Sequence, residues 1–207
     1  MKEVSTMSHF SKIDRERVEL KLLQEGKILF EERGLKKVTV DEIAQKVGIG
    51  KGTFYHFYEN KEHLYLELWM KAQEKVFEDI EDILRKSKEK TAKEVCYEVV
   101  IKLLEGFSKH SILISTDGNT WSKASKKVSK DYKKYNDDTD KIIFDKLLSE
   151  GIKFKYPEDV VIKLMQSSCF AVMMLLKSEK EWTVSKVLIR AIIDYIVDEG
   201  EKSGQNK

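Results

Sequence analysis

The amino-acid sequence predicts an all-α protein, from its composition and from the spacing of its apolar residues. The chain has 207 residues but one proline and ten glycines, few for a β-sandwich with its many turns. Long segments are rich in Leu, Glu, Lys and Ile, as in helical proteins. From Val184 to Ile196, apolar residues recur at i, i+3, i+4, i+7, i+8, i+11 and i+12, the spacing of one helix face.

Composition also restricts the class of protein. No run of about 18 apolar residues occurs, and the N-terminus lacks the apolar core of a signal peptide, so we expect a cytoplasmic protein. The net charge of +2 does not by itself indicate nucleic-acid binding, which must be argued from the placement of residues. Cys96 and Cys169 lie in apolar helical patterns and are predicted to be free, buried thiols. We predict no metal site and no cofactor.

A helix-turn-helix pattern occupies the stretch from Val38 to Leu64. Thr39-Val40-Asp41-Glu42 has the S/T-x-x-E form of a capping box, which predicts a helix beginning at Val40. Gly48-Ile49-Gly50 breaks this helix, and residues 51–58 predict a second helix of about two turns. This second helix is dense in groups that contact phosphates or bases, the pattern of a helix-turn-helix that reads DNA.

Further helices are predicted on both sides of this motif. One runs from Asp14 to Arg33 and ends at Gly34, with Gly26 in its middle indicating close packing of a neighbouring helix. A long helix begins at Lys61 and is expected to pass from a small N-terminal domain into a larger one. Later helices begin at the Thr91 capping box and at Pro157. The six lysines within residues 123–134 fit a solvated face better than a DNA contact.

The stretch from Leu22 to Leu64 resembles the tetracycline-repressor (TetR) family of bacterial transcription regulators. The residues that carry the resemblance are Leu29-Phe30-x-x-x-Gly34, Thr39-Val40-x-x-Ile43-Ala44, Val47-Gly48-Ile49, Lys51-Gly52-Thr53-Phe54-Tyr55 and Lys61-Glu62. A weaker resemblance continues at Leu147-Leu148-x-x-Gly151-Ile152. The resemblance implies a three-helix DNA-binding domain over residues 1–60 and a helical effector-binding and dimerisation domain over residues 61–207.

The resemblance also implies which residues contact DNA. The hydroxyl of Thr39 and the N-terminus of its helix would bind a phosphate, since helix N-termini suit anions. Tyr55 and Lys61 match phosphate-contacting positions, and Phe54 and Tyr58 are interpreted as core. The full predicted DNA-binding set is Thr39, Lys51, Gly52, Thr53, Tyr55, His56 and Lys61.

Three departures from the family pattern stand out. Gly50 replaces a common capping serine, Phe57 replaces a His or Tyr that contacts phosphate, and Glu25-Gly26 replace two small residues.

The rest of the chain is predicted to bind an effector and a second copy of itself. Large apolar side chains could line a pocket between helices, namely Trp69, Phe77, Phe107, Trp121, Phe144, Met165, Phe170 and Met173. The family forms homodimers through its last two long helices. The corresponding residues here are Val161, Leu164, Val172, Leu175, Val184, Leu188, Ala191, Ile192 and Tyr195.

The sequence therefore favours a ligand-responsive regulator, most simply a repressor, that binds a palindromic operator as a homodimer and is released by a small apolar or aromatic effector. One alternative is a DNA-binding regulator without an effector, and an activator also fits the same residues. An all-α enzyme with an incidental helix-turn-helix has no support from motifs. No Gly-rich phosphate loop occurs, and no HExxH or His-x-x-His spacing is formed by His9, His56, His63 and His110.

Overall fold

The structure is a computed structural model that describes residues 12–113, 139–175 and 179–198. In these ranges the chain forms helices and no strand, which confirms the predicted all-α fold. Among the helices of these ranges, none is both long and apolar enough to cross a membrane. The helices are α1 (Lys12–Lys37), α2 (Val40–Val47), α3 (Lys51–Phe54), α4 (Lys61–Arg85), α5 (Ala92–Lys109), α6 (Thr139–Ser149), α7 (Glu158–Leu175) and α8 (Glu179–Ile196), with a 3₁₀ turn at Ser111–Leu113.

The described residues divide into two compact units. The first, here the N-unit, holds residues 12–72 and 111–113. The second, the C-unit, holds residues 73–110, 139–175 and 179–198. Helix α4 belongs to both units, as predicted for the long helix. The predicted division into domains of residues 1–60 and 61–207 stays a prediction.

Aromatic and aliphatic side chains from α1 to α4 form the core of the N-unit. Leu22, Phe30, Ile43 and Phe54 are fully buried, each at 0% exposure. The ring of Phe30 packs edge-on against that of Tyr65, with centroids 5.2 Å apart. Burial of each such large side chain contributes about 1.5–3 kcal/mol, so this cluster holds the short helices α2 and α3 in place.

The predicted helix boundaries follow from local chemistry. Thr39 and Glu42 form the predicted capping box, and Gly48 ends α2 in the left-handed conformation at φ 79°. Gly34 interrupts α1 at φ 72° and ψ 158°, and helical structure resumes over residues 35–37. The predicted end of α1 is therefore a break within the helix. Asn60 caps α4, because its Oδ1 accepts a hydrogen bond from His63 N at 2.8 Å.

The close packing predicted at Gly26 is confirmed. A Cβ atom at this position would lie 2.8 Å from Leu64 Cδ2 on α4, and Leu64 is fully buried. Glycine therefore allows α1 and α4 to approach each other, which outweighs its cost of about 1 kcal/mol within a helix.

The C-unit is built from the second half of α4 and from α5 to α8. Two hydrogen bonds join the segment between α6 and α7 to the end of α8, from Lys155 N to Ile196 O and from Asp198 N to Lys153 O, both at 2.9 Å. Helix α4 is tied to α6 by an ion pair between Lys146 Nζ and Glu81 Oε1 at 2.6 Å. Gly106 of α5 packs directly against Val76 of α4.

We expect Gly106→Ala to destabilise the protein. The new methyl group would clash with buried, β-branched Val76. Overpacking costs about 1–3 kcal/mol and the gain in helix propensity returns about 1 kcal/mol, so the free energy of unfolding in urea should fall by up to about 2 kcal/mol. Combining Gly106→Ala with Val76→Ala provides the control, because removing the opposing methyl groups should make the pair less destabilising than the sum of the single changes. A Gly106→Ala variant as stable as the wild type would contradict this packing.

Candidate nucleic-acid interface and effector cavity

Residues 51–58, the predicted second helix of the helix-turn-helix and here called the recognition segment, form a short helix followed by a tight turn. Helix α3 covers Lys51–Phe54, half the predicted length. After α3 the chain forms a turn of the 3₁₀ type, in which each N–H bonds to the carbonyl three residues earlier. These hydrogen bonds run from His56 N to Thr53 O at 3.1 Å and from Phe57 N to Phe54 O at 2.9 Å. Gly50 precedes the helix without a side-chain cap, as expected from its lack of a hydroxyl.

The predicted division between core and surface in this segment is confirmed. Phe54 is fully buried and Tyr58 is 3% exposed, so both belong to the core of the N-unit. Lys51, Gly52 and His56 are exposed, and Thr53 is half-buried. Tyr55 is 50% exposed, and its ring packs edge-on against that of Phe54 at 5.6 Å. The buried ring thus steadies a tyrosine whose remaining surface faces solvent.

Thr39 uses its hydroxyl within the capping box. Thr39 Oγ1 accepts a hydrogen bond from Glu42 N at 3.3 Å and donates to Glu42 Oε2 at 2.9 Å. Arg33 Nη1 donates to the other carboxylate oxygen of Glu42 at 2.6 Å. The hydrogen bonds from Arg33 and then from Thr39 lower the pKa of Glu42 from 4.5 to about 2. A phosphate contact by the Thr39 hydroxyl therefore requires its bond to Glu42 to break.

Lys51 is held by a neighbouring carboxylate. Its Nζ lies 2.8 Å from Asp41 Oδ2, which joins the start of α3 to the first turn of α2. The hydrogen bond to Asp41 raises the pKa of Lys51. Both side chains are largely exposed, so Lys51 can exchange Asp41 for a phosphate or a base.

Lys61 was predicted to contact a phosphate, but its ammonium group is bound to main-chain carbonyls of the protein itself. Its Nζ donates to Val38 O at 2.6 Å, to Leu35 O at 2.7 Å and to Lys36 O at 3.5 Å. An ammonium group has three donors, and here all three are directed at main-chain carbonyls near the end of α1. The structure assigns Lys61 to the fold, because no donor remains for a phosphate in this geometry.

The C-unit contains an apolar cavity of about 100 Å³. Phe107, Phe144 and Met165 line it, among the eight predicted pocket residues. Residues that the sequence analysis did not single out complete the wall, notably Val99, Ile143, Phe154, Ile193, Cys96 and Cys169. The apolar pattern identified these side chains as inward-facing, but only the packing of α5 to α8 shows that they meet around one space.

The other predicted pocket residues lie elsewhere. Trp69 packs against the core of the N-unit. Phe170 is 66% exposed on α7 and does not line the cavity. Phe77 and Met173 are half-buried but do not line the cavity. Trp121 and the lysine-rich residues 123–134 lie outside the described residues.

The cavity offers few polar groups. Gln166 Nε2 donates to Asp140 Oδ2 at 2.6 Å, and both residues contribute to the lining. Burial raises the pKa of the Cys96 and Cys169 thiols to about 12, so both are neutral. Both thiols are free, as predicted, and Cys96 is buried as predicted, whereas Cys169 is half-buried. Within the described ranges, no lysine or arginine lines the cavity.

The last two helices present an apolar surface to solvent. Of the predicted dimer residues, Val184 is 57% and Tyr195 is 64% exposed. Leu164 and Leu188 are each 38% exposed, Ala191 is exposed and Ile192 is half-buried. The exposed apolar residues Val160, Phe170 and Val187 on these helices were not predicted for this role.

Two of the predicted dimer residues belong instead to the protomer core. Val161 is 2% exposed and lines the cavity, and Val172 is fully buried. Their side chains are covered within the C-unit and offer no surface to a partner. The side chain of Leu175 lies outside the described residues.

Residues 22–68 match the family model of the bacterial regulatory proteins of the tetR family. The helix-turn-helix region of the chain is therefore similar to that of the TetR family. The matched residues contain all of α2 and α3 and parts of α1 and α4, so the likeness lies in the helix-turn-helix region. Members of the family bind DNA and small-molecule effectors and act as dimers.

Individual proteins show the same likeness. The transposon Tn10 TetC protein of Escherichia coli is 44% identical over 43 residues, which are 21% of this chain and 22% of that relative. The match therefore spans only about a fifth of the relative's own length.

Solved structures resemble more of the chain. The ketosteroid regulator KstR2 of Mycobacterium tuberculosis has a TM-score of 0.64 and 18% identity, covering 87% of this chain and 95% of its own. LfrR of Mycobacterium smegmatis, solved in complex with proflavine, has a TM-score of 0.60 and 15% identity. The match covers 89% of this chain and 98% of the LfrR chain. At these identities the likeness shows the fold alone.

The TetR-type capping box makes a pH-dependent contribution to stability. Because the pKa of Glu42 is below 4.5 in the folded protein, its contribution is complete above pH 4.5 and is lost as the pH falls towards 2. Glu42→Gln removes this contribution at every pH. The difference in unfolding free energy between the wild type and Glu42→Gln should therefore shrink when urea titrations are repeated from pH 6 down to pH 3. A constant difference across this range would show that the carboxylate is not held by Arg33 and Thr39.

Gly52 tests whether the start of α3 approaches DNA closely. A Cβ atom at Gly52 would have no neighbour within 4 Å, so the fold itself does not require glycine there. We expect Gly52→Val to leave the thermal midpoint within a few degrees of the wild type and to weaken DNA binding about tenfold or more, a loss of about 1.4 kcal/mol. Fluorescence anisotropy with a labelled duplex measures the affinity. Unchanged affinity would place the start of α3 away from the groove.

Proposed function

We propose that this protein is a TetR-family transcriptional regulator that binds a palindromic operator as a homodimer and is released by a small apolar effector. The observation that carries the proposal is the exposed surface of Lys51, Gly52, Tyr55 and His56 above a fully buried Phe54. Such a surface, held rigidly by a core, can enter a major groove and contact base edges and phosphates. Repression is the simplest output, because an occupied operator blocks transcription.

The exposed apolar surface of α7 and α8 supports a homodimer. Side chains such as Val184, Val187 and Tyr195 are more than half exposed in the single chain. Contiguous apolar surface of this kind marks interaction sites. A two-fold dimer would present two recognition helices to successive major grooves about 34–36 Å apart, which matches a palindromic operator.

The cavity supports an uncharged or cationic apolar effector. Its lining is almost wholly apolar, its two thiols are neutral, and the charged group that lines it is the carboxylate of Asp140. A carboxylate ligand would meet no cation among the described lining residues. A volume of about 100 Å³ is comparable to the roughly 150 Å³ of an engineered apolar cavity that binds benzene.

Helix α4 offers a route between effector and DNA. Gln73 Nε2 on α4 donates to Thr139 Oγ1 at 2.5 Å, and Thr139 lines the cavity. Gln73 is 6% exposed, so this hydrogen bond is formed away from water. An effector that displaces Thr139 would act on the helix that also carries Leu64 and Tyr65 of the N-unit core. Because the coupling between two binding sites is reciprocal, the effector and the DNA must weaken each other's binding by the same factor.

The test of the proposal begins with selection of duplexes from a random pool by the purified full-length chain. We expect a palindromic sequence whose affinity falls steeply with salt, and a dimer by sedimentation. Val187→Glu places a charge on the exposed apolar surface, and it should produce monomers with strongly weakened operator binding. Ile142→Glu, at a 44% exposed position on α6, is the matched control and should remain dimeric. A wild-type chain that selects no sequence would contradict the proposed function, and a dimeric Val187→Glu variant would contradict the proposed interface.

The same duplex tests the effector. Toluene and benzoate share a ring and differ in charge, so they form a matched pair of probes of suitable size. Toluene should raise the thermal midpoint of the protein, and benzoate at the same concentration should not. A DNA-binding regulator without an effector is the alternative, and it predicts that a broad panel of uncharged and cationic compounds never shifts the midpoint or releases the duplex.

A further inference from the structure

An arginine near the start of α1 lies on the recognition segment. The guanidinium carbon of Arg15 is 5.8 Å from the ring centroid of Phe57, in a cation–π arrangement. Phe57 is half-buried and packs against the core of the N-unit, whereas Arg15 is exposed. The contact therefore fixes an exposed cation beside the turn that carries Tyr55 and His56.

Three other cations near the helix-turn-helix are already engaged within the protein. Arg33 is bound to Glu42 and Lys51 to Asp41, while Lys61 donates to carbonyls of the main chain. Arg15 forms no ion pair with any carboxylate in the described part of the chain. A guanidinium has five N–H donors in its plane, and stacking on a ring uses the face of the group and leaves those donors at its edge.

We propose that Arg15 is a further DNA-binding residue, held in place by Phe57, that contacts a backbone phosphate beside the recognition helix. The inference rests on the proposed DNA-binding function. Arginine binds phosphate through two parallel hydrogen bonds, which requires a fixed orientation of its planar group. Phe57 has no polar side-chain atom and is a positioning residue: it contributes to DNA binding by orienting Arg15.

A phosphate contact by Arg15 predicts how substitution of this residue changes DNA binding. Phosphate contacts fix the register of a protein on the duplex but carry no sequence information directly. Loss of Arg15 should therefore weaken binding by a similar factor on the operator and on its mismatched variants. The dependence of affinity on salt should also become less steep, because fewer counterions are released.

The experiment compares Arg15→Gln with Arg17→Gln in the full-length dimer. Both changes remove one exposed positive charge from the first turns of α1, but only Arg15 lies over Phe57. The probe is the labelled duplex recovered by selection, and anisotropy gives its affinity between 50 and 300 mM salt. For Arg15→Gln we expect the slope of log K against log salt to fall by about 0.9 per protomer, or about 1.8 per dimer. Arg17→Gln should keep the wild-type slope.

A double-mutant cycle tests the role of Phe57. Phe57→Leu removes the ring but retains an apolar side chain for the core, and circular dichroism and thermal unfolding check that the variant folds. Phe57→Leu should weaken binding in the wild-type background and have little further effect in Arg15→Gln. Arg15→Lys keeps the charge, lacks the planar group and should retain only part of the affinity. This variant tests the need for a planar group while Phe57 is intact.

The outcomes separate this inference from the proposed function. Wild-type binding that is steep in salt, with equal slopes for Arg15→Gln and Arg17→Gln, would overturn the role of Arg15 and leave the proposed function standing. Additive effects in the cycle would overturn the positioning role of Phe57. A wild-type chain that recovers no duplex and shows no salt-dependent binding would overturn the proposed function, and this inference with it.

Discussion

The ammonium group of Lys61 joins the start of α4 to the end of α1, and the helix-turn-helix lies in the chain between these two points. Its hydrogen bonds to Leu35 O and Val38 O are 2.7 and 2.6 Å long. Leaving a part-buried polar group unsatisfied costs about 1–3 kcal/mol, so these carbonyls need their partner. Close packing of Leu64 on Gly26 continues the same contact between α1 and α4 deeper in the N-unit. The position of α2 and α3 therefore depends on how firmly α1 and α4 are joined.

This use of Lys61 changes which charges are available for DNA. A net charge of only +2 gives the protein little bulk attraction to DNA, so the proposed binding depends on the placement of a few groups. Arg33 and Lys61 maintain the fold, and Lys51 must leave Asp41 before it can bind a phosphate. The exposed surface of Tyr55 and the edge of the Arg15 guanidinium have no such competitor among the described residues.

Local signals in the sequence predicted much of the fold. The capping boxes at Thr39 and Thr91, the left-handed Gly48 and the close approach at Gly26 all depend on residues within a few positions or on the absence of a side chain. The burial of Phe54 and Tyr58 followed from their place in a known motif. The sequence could not show what a long side chain reaches across the fold. Lys61 contacts carbonyls more than twenty residues away, and α7 is apolar on two faces, so Val161 faces the cavity while Phe170 faces solvent.

The assignment of Lys61 to the fold can be tested most directly with Lys61→Met, which keeps the length of the side chain and removes its donors. The slope of log K against log salt for the selected duplex distinguishes the two roles of the lysine, because each phosphate contact contributes about 0.9 to it. The account predicts that Lys61→Met lowers the free energy of unfolding and leaves the slope at the wild-type value. A variant of unchanged stability whose slope is shallower by about 0.9 per protomer would show that Lys61 binds a phosphate and would contradict the account.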